Sequence, residues 1–379
     1  MRRTGRVLLF SHFIRDKVSR IKKGELHIMA NRPKIPEIDF ARAIAILAVL
    51  IIHGTAAATL LPVGTGSQAV FYMMNRACLF TVPVFIWISG LVLFYNYFDR
   101  WDPSTSFKFW TKRLRRILVP YVLWSIFYYF YNQYMYHGKI GFDALYLFKL
   151  LLSGNASYHL YYMIIIVQFY ILFPILITAV QKFRWLRNGL IPLGLLVQAA
   201  GYSINHWIHP IPEYSSLFIS YSALFAFGAF TGIHYARVLA WTKQHASYVG
   251  AVLLVAGAAF VGMLLLNQFS LLSIENTWFE LALIVYCMAA AIVLIAQGQR
   301  VMRSPTALRA AASGLGSASF GIYLAHPAIL TLWSRLAPAQ DRLLLFDLHA
   351  IASILIGCVG SWLLVLLYRS TKPKGKVSA

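Results

Sequence analysis

The sequence predicts an all-α integral membrane protein of about ten transmembrane helices, with both termini in the cytoplasm. Three observations carry this. Hydrophobic residues make up 59% of the 379 positions and charged residues 12%, where a water-soluble chain carries roughly 25% charge; mean hydropathy is +0.65. The apolar residues gather into windows of about 18–22, the length a helix needs to cross a hydrocarbon core of about 30 Å. The cationic residues fall almost entirely between alternate windows. Together these exclude secreted, fibrous, disordered and cytosolic proteins and place the chain in the cell membrane as a multi-pass protein.

The windows run over 44–61, 78–98, 117–135, 159–180, 189–205, 215–235, 247–267, 278–297, 317–335 and 349–368. Helix is the expected form, because a lipid-exposed backbone must satisfy its own hydrogen bonds, and the windows lack the alternation of barrel strands. The fifth window is the least regular, holding Gly189, Pro192, Gly194 and Gly201. The segment 140–153 is apolar but short and interrupted by Asp143 and Lys149, so it reads as a helix lying at the interface. The stretches 62–77 and 205–214 read as external loops, and 99–116 as a cytoplasmic one.

Charge orients the bundle. Of the 34 Lys and Arg, only Arg76, Lys139, Lys149, Arg335 and Arg342 lie in the segments that are external when the N-terminus is cytoplasmic. This is the positive-inside bias, and it requires an even number of spans. It also accounts for the net charge of +22 without a nucleic-acid partner. Residues 1–35 form a basic cytoplasmic tail suited to the anionic inner leaflet, with no signal-peptide core, and Met29 is a second candidate start. Residues 36–370 form the transmembrane domain, and 371–379 a short cytoplasmic tail. Cys78, Cys287 and Cys358 lie singly in apolar windows, implying neither disulfides nor a zinc site. No metal site is expected.

Ionisable residues inside a span are costly and therefore functional candidates. In the first window Arg42 and His53 are eleven residues apart, about 1,100° of helix, so they share a face, with a rise of about 16 Å between them. Arg42 falls at the cytoplasmic mouth and His53 near mid-membrane, where an imidazole is suited to proton transfer. Asp39 is an i,i+3 partner for Arg42. The plainer alternatives are a membrane-anchoring Arg42 and a neutral His53 bonded to a neighbouring helix. Ser319, Tyr323 and His326 form a second polar stripe, with His326 at the depth of His53. The plainer reading there is helix packing through a Tyr–His hydrogen bond, with a kink at Pro327. Arg113 and Arg116, with Lys112 and Arg115, are stop-transfer charge or a guanidinium pair for a phosphate-bearing ligand. Glu280, His159, Tyr161 and Tyr162, with His206 and His209, are candidates for an exit vestibule on the external side, where aromatics also serve as ordinary interfacial anchors.

These residues resemble a known family. IDFARAIAILAVLIIH is similar to the first-helix signature of the acyltransferase-3 family of integral membrane enzymes, an Arg followed by ten residues and a His. VPVFIWISGLVLF resembles its second-helix segment, ending here in Ser89 and Gly90. KRLRRILVPY resembles its Arg-x-x-Arg element, SYHLYYMIIIVQFYILFPIL its fourth span, and SFGIYLAHP its late Ser-x-Gly-x-Tyr-Leu-x-His segment. The five run in order from Glu37 to His326. The short loops, with no long C-terminal extracellular domain, point to the branch that includes the membrane protein of intercellular-adhesion polysaccharide operons.

The resemblance implies transfer of an acyl group, usually acetyl, from cytoplasmic acyl-CoA to a hydroxyl of an extracytoplasmic glycan. Acyl-CoA is then a co-substrate rather than a bound cofactor, and glycan synthase or export proteins are expected neighbours. It places His53 in the catalytic position, Arg42 as its first-helix partner, and Arg113 and Arg116 as the donor-binding pair; Asp39, Ser319, Tyr323, His326 and Glu280 are supporting candidates. A base for the acceptor hydroxyl and donors for the oxyanion are what acyl transfer needs. With no Gly-x-Ser-x-Gly elbow and no cysteine placed beside a helical histidine, direct transfer is favoured over a Ser or Cys acyl-enzyme, and transient acylation of His53 stays open. The rival from another class is a glycan exporter; a third reading is a non-catalytic scaffold for a synthase complex.

Overall fold

The computed structural model describes residues 32–304, 307–339 and 342–371. The basic tail before residue 32, with Met29, and the C-terminal tail after Thr371 lie outside the described residues. All regular structure among them is helical. The α-helices are α1 (Glu37–Gly54), α2 (Gly66–Ala77), α3 (Thr81–Tyr97), α4 (Ser106–His137), α5 (Ala144–Ser153), α6 (Tyr161–Lys182), α7 (Arg184–Asn188), α8 (Leu190–Ser203), α9 (Ser222–Ile233), α10 (Tyr235–Gln244), α11 (Ala246–Gln268), α12 (Asn276–Arg303), α13 (Ala307–Leu336) and α14 (Leu343–Ser370).

Each of the ten apolar windows falls on one of these helices. Among the described residues six stretches are long and apolar enough to cross a membrane: Gly66–Arg100, Tyr161–Lys182, Ala246–Gln268, Asn276–Arg303, Ala307–Leu336 and Leu343–Ser370. A seventh is formed if Phe218–Ile233 and Tyr235–Gln244, bent by 97°, are one broken span. The protein is therefore a multi-pass membrane protein. The other windows fall short of that test for visible reasons. α1 carries Glu37, Asp39 and Arg42 in its first two turns, α4 past its basic start is diluted by tyrosines with Asn132 and Gln133, and α8 has only 14 residues.

Two expectations need correcting. The stretch 62–77 is not a loop: it holds α2, N-capped by the Thr65 hydroxyl, which accepts from the Gln68 amide at 3.3 Å, and α2 runs through a 3₁₀ turn into α3. The sixth window is not one helix. It opens with 3₁₀ turns at Tyr214–Ser216 and Phe218–Tyr221 before α9 begins. The short segment after α4 is the ten-residue α5, capped by Asp143 and ended by Gly154 in the left-handed region, φ +78°. It buries none of its residues and is too short to span.

Close helix contacts rest on small residues, as packing in lipid favours. Gly90 on α3 and Gly228 and Gly232 on α9 sit directly against the facing backbone, where any Cβ would overlap a carbonyl oxygen. α1 is gripped in the same way. A Cβ at Gly316 of α13 would overlap the Asp39 carbonyl oxygen, and one at Gly298 of α12 would stand 2.9 Å from the Glu37 Cβ. Glu37, 8% exposed, is satisfied there by the Tyr235 hydroxyl at 2.7 Å and the Gln299 amide at 3.0 Å. Gly316→Ala is therefore expected to destabilise the protein by about 1–3 kcal/mol through overpacking. Gly250→Ala, with open space around its site, is expected to be neutral; thermal unfolding of the two variants in detergent checks both.

Candidate active site

The α1–α13 contact sets the site. α1 ends at His53 and Gly54, His326 lies within α13, and the two imidazole centroids are 5.2 Å apart. The equal depth expected of these two residues is what the structure shows. A third imidazole, His159, enters from the turns preceding α6, 5.4 Å from His326. Tyr158 packs on His53 at 4.6 Å. His326 and His159 are buried, whereas His53 is partly exposed and Tyr158 is 54% exposed. The three rings meet by faces and edges, and among the described residues no trio of His, Cys, Asp or Glu is arranged to hold a metal ion.

Local backbone chemistry fixes this layer. Pro327 has no N–H to give to the Tyr323 carbonyl one turn back, and α4 braces the helix around that break. Tyr128 donates to the Leu324 carbonyl and Tyr131 to the Ala328 carbonyl, both at 2.7 Å. The Tyr323 hydroxyl donates to the backbone carbonyl of His159, tying the third imidazole to α13. This differs from the Tyr–His side-chain bond considered from sequence. His326 Nδ1 lies 3.2 Å from the Ile322 carbonyl. A carbonyl only accepts, so that contact puts the proton on Nδ1 and leaves Nε2 as an acceptor; Nε2 is buried and has no partner. His159 Nδ1 meets the Ser157 hydroxyl at 3.2 Å, and its Nε2 is likewise unpartnered. The His53 nitrogens make no hydrogen bond to the protein.

One side of this layer borders a cavity of about 320 Å³, lined by Arg42, Arg116, Ser89, Tyr162, Ser319 and Tyr323 among others. Arg42 is held by Asp39 at 3.5 Å. Both partners are about a third exposed, where such a pair contributes little stability, so its effect is to orient the guanidinium. Tyr323 stands at the boundary, lining the cavity while its ring lies 5.0 Å from His159 and 6.2 Å from His326. Arg116 also borders an open cleft with Lys108, Lys112 and Arg115, so cationic surface continues from the cavity outward.

Arg113 and Arg116 are not brought together in that cavity. Three residues of helix turn Arg113 toward Tyr97, over whose ring it sits at 5.6 Å, and its buried Nε has no hydrogen-bond partner. Glu280 is separate as well, lining a cavity of about 430 Å³ with Tyr202, Tyr214 and Tyr221. The sequence reading missed the place of His159, which it set in a vestibule. The available signal was its position at the start of a span, on the side where α1 ends.

The sequence model of a family described as an acyltransferase domain matches residues 35–368. The chain belongs to the acyltransferase-3 family. It is also similar to curated proteins of Staphylococcus aureus named "Probable poly-beta-1,6-N-acetyl-D-glucosamine export protein". The protein of strain MSSA476 is 24% identical over 337 residues, covering 86% of this chain and 91% of that one. The protein of strain MRSA252 is 23% identical over the same shares. No solved structure matches. Membership covers all five motifs, and the structure gathers four of them, those carrying Arg42 and His53, Ser89, Arg116, and Tyr323 and His326, around one cavity and one histidine layer; the fourth-span motif adds His159 and Tyr162.

Tyr323→Phe removes the bond to the His159 carbonyl while keeping the ring. Thermal unfolding is expected to show a loss of about 1 kcal/mol, together with a fall in acyltransferase turnover that Tyr131→Phe, farther from the imidazoles, does not match.

Proposed function

We propose that this membrane acyltransferase moves an acyl group, acetyl in the first instance, from cytoplasmic acyl-CoA to a hydroxyl of an extracytoplasmic polysaccharide. One observation carries the reading: the layer of His53, His159 and His326, with the exposed Tyr158 packed on His53, is joined through Tyr323 to a cavity lined by Arg42 and Arg116. In this reading the chain has ten spans with both termini cytoplasmic, in the cell membrane. Arg42 and Arg116 then face the cytoplasm and the Tyr158 side faces out. The names of the relatives support a polymer of amino sugars as acceptor.

The residues divide the work. Arg42 and Arg116, with the cations of the neighbouring cleft, hold the donor's phosphates. Arg113 braces the rim through Tyr97. The thioester arm extends past Ser319 and Tyr323 toward His53. His53 accepts the proton of the acceptor hydroxyl as its oxygen attacks the thioester carbonyl. Collapse of the tetrahedral adduct breaks the C–S bond, and the proton on His53 passes to the leaving thiolate, giving ester and free CoA. Direct transfer is preferred, because His53 has no hydrogen-bonded group behind it to activate it as a nucleophile.

His53→Ala is expected to lower transfer of labelled acetyl from CoA to membrane glycan by about 10²–10⁴-fold in purified protein. The relatives' name favours a second reading, export. Glycan crossing the membrane with no acyl transfer in either the parent or the variant establishes export instead. Arg116→Ala is expected to raise the KM for acyl-CoA more than Arg113→Ala does; equal effects would remove Arg116 from the donor site. Cysteine scanning should label 205–214 from outside and 99–116 from inside, and the reverse pattern would invert the topology.

A further inference from the structure

The cavity around Glu280 is not used by the chemistry above. It holds about 430 Å³, within the usual range of about 300–1,000 Å³ for small-molecule sites. It is enclosed by the end of α8, the turns at 204–216, the start of α9 and the first turns of α12. Four aromatic side chains, Tyr202, Trp207, Tyr214 and Tyr221, share its walls with aliphatic and hydroxyl-bearing residues. Glu280 is the only charged side chain among its lining residues.

The carboxylates around this region differ in one respect. Glu275 accepts from the Thr277 amide at 2.8 Å and pairs with His206 at 2.8 Å, and the Thr277 contacts hold its carboxyl below the usual carboxylate range. Glu213 accepts from the Asn155 amide at 3.0 Å. Among the described residues Glu280 has neither a cation nor a hydrogen-bond donor. The Tyr202 hydroxyl meets the Thr277 hydroxyl at 3.3 Å. A half-buried carboxylate without a partner is costly. Here it lines a cavity whose other walls are aromatic rings, aliphatic side chains and uncharged hydroxyl and amide groups.

This composition selects a ligand. With no Lys, Arg or His in the lining, an anion gains nothing here. A pyranose presents C–H faces that stack on aromatic rings, and an ammonium is drawn both to a carboxylate and to aromatic faces. An amino sugar with a free amine offers both features on one ring. The cavity is also coupled to the histidine layer. Asn155 donates to Glu213 and so joins the 205–214 stretch to the turns that carry Tyr158 and His159. Gln168 of α6 bonds the Ser216 carbonyl and the Phe218 amide at 2.8 and 2.9 Å, fixing the same wall to that helix.

We propose that this cavity is a saccharide subsite that takes a de-N-acetylated hexosamine unit, its ring on Trp207 and the tyrosines and its ammonium on Glu280. The proposal rests on the polysaccharide reading: the subsite would hold one unit of the acceptor while a hydroxyl of another reaches His53.

The test is binding to the purified full-length protein of two probes, a β-1,6-linked glucosamine oligosaccharide and its fully N-acetylated counterpart, by titration calorimetry. The parent is expected to prefer the free-amine probe by about tenfold. Glu280→Gln is expected to abolish that preference while leaving the acetylated probe unchanged. Trp207→Ala, at a 62% exposed position that cannot collapse the fold, is expected to weaken both probes. His53→Ala is expected to leave all binding intact while losing transfer. Equal binding of the two probes by the parent, or a preference that survives Glu280→Gln, overturns the subsite. So does Glu280-dependent binding of phosphocholine in place of either sugar, which would make the cavity a lipid-headgroup site. If Glu280-dependent amine binding persists in a protein that transfers no acyl group, the subsite stands and the transfer reading falls.

Discussion

The contact between α1 and α13 is the constraint on which the rest of the structure depends. Lipid supplies no hydrophobic drive for two helices to approach, so contact distance is set by what lies between the backbones. At Gly316 nothing does, and α13 rests on the Asp39 carbonyl. From that anchor the two helices rise together, and His53 and His326 arrive side by side. A side chain at position 316 would push the helices apart at their base and separate the imidazoles higher up. Glu37, locked by Tyr235 and Gln299, prevents α1 from relieving such a displacement by moving away.

Above that base the polar groups are arranged in strata that low dielectric would otherwise forbid. Cations occupy one rim, neutral imidazoles and tyrosines the middle, and a single unpaired carboxylate a cavity toward the other end. The middle stratum is affordable because backbone carbonyls near Pro327 and in the turns before α6 accept its protons. Leu324 and Ala328 beside Pro327, and His159 in the turns before α6, each take a tyrosine hydroxyl. α1 is closed off in the same manner: Asn75 donates to the Ile52 carbonyl at 2.8 Å and to the Thr55 hydroxyl at 3.1 Å, just past His53. The irregularities of the bundle are thus where its polar side chains find partners.

What was legible in the sequence follows from this. Arg42, His53, Ser319, Tyr323 and His326 sit within continuous helix, where 3.6-residue periodicity fixes face and depth, and their grouping was readable from spacing alone. His159 was not, because it lies in turns that have no periodicity, and its place is set by a long-range bond from Tyr323. The Arg113–Arg116 pair shows the opposite failure. Spacing of three does put two residues on neighbouring parts of a helix surface, but Tyr97 on α3 captures the first and leaves the second to the cavity.

The histidine layer also distinguishes the roles of its members on the proposed reaction. His326 has its Nδ1 proton committed to the Ile322 carbonyl and is completely buried, so it neither receives a proton from bulk water nor reaches an acceptor hydroxyl. His53 alone combines exposure with uncommitted nitrogens. When His53 takes up the hydroxyl proton it becomes a cation in a poorly polar setting, a change that a purely apolar neighbour would oppose. The His326 imidazole beside it, tilted by 30° at 5.2 Å, offers a dipole and a polarisable ring instead of hydrocarbon. His159, oriented by its own backbone tie to Tyr323, extends that environment on the buried side. In the proposed reaction the second and third imidazoles therefore need not exchange protons to matter: they would line the first with polar groups in place of hydrocarbon.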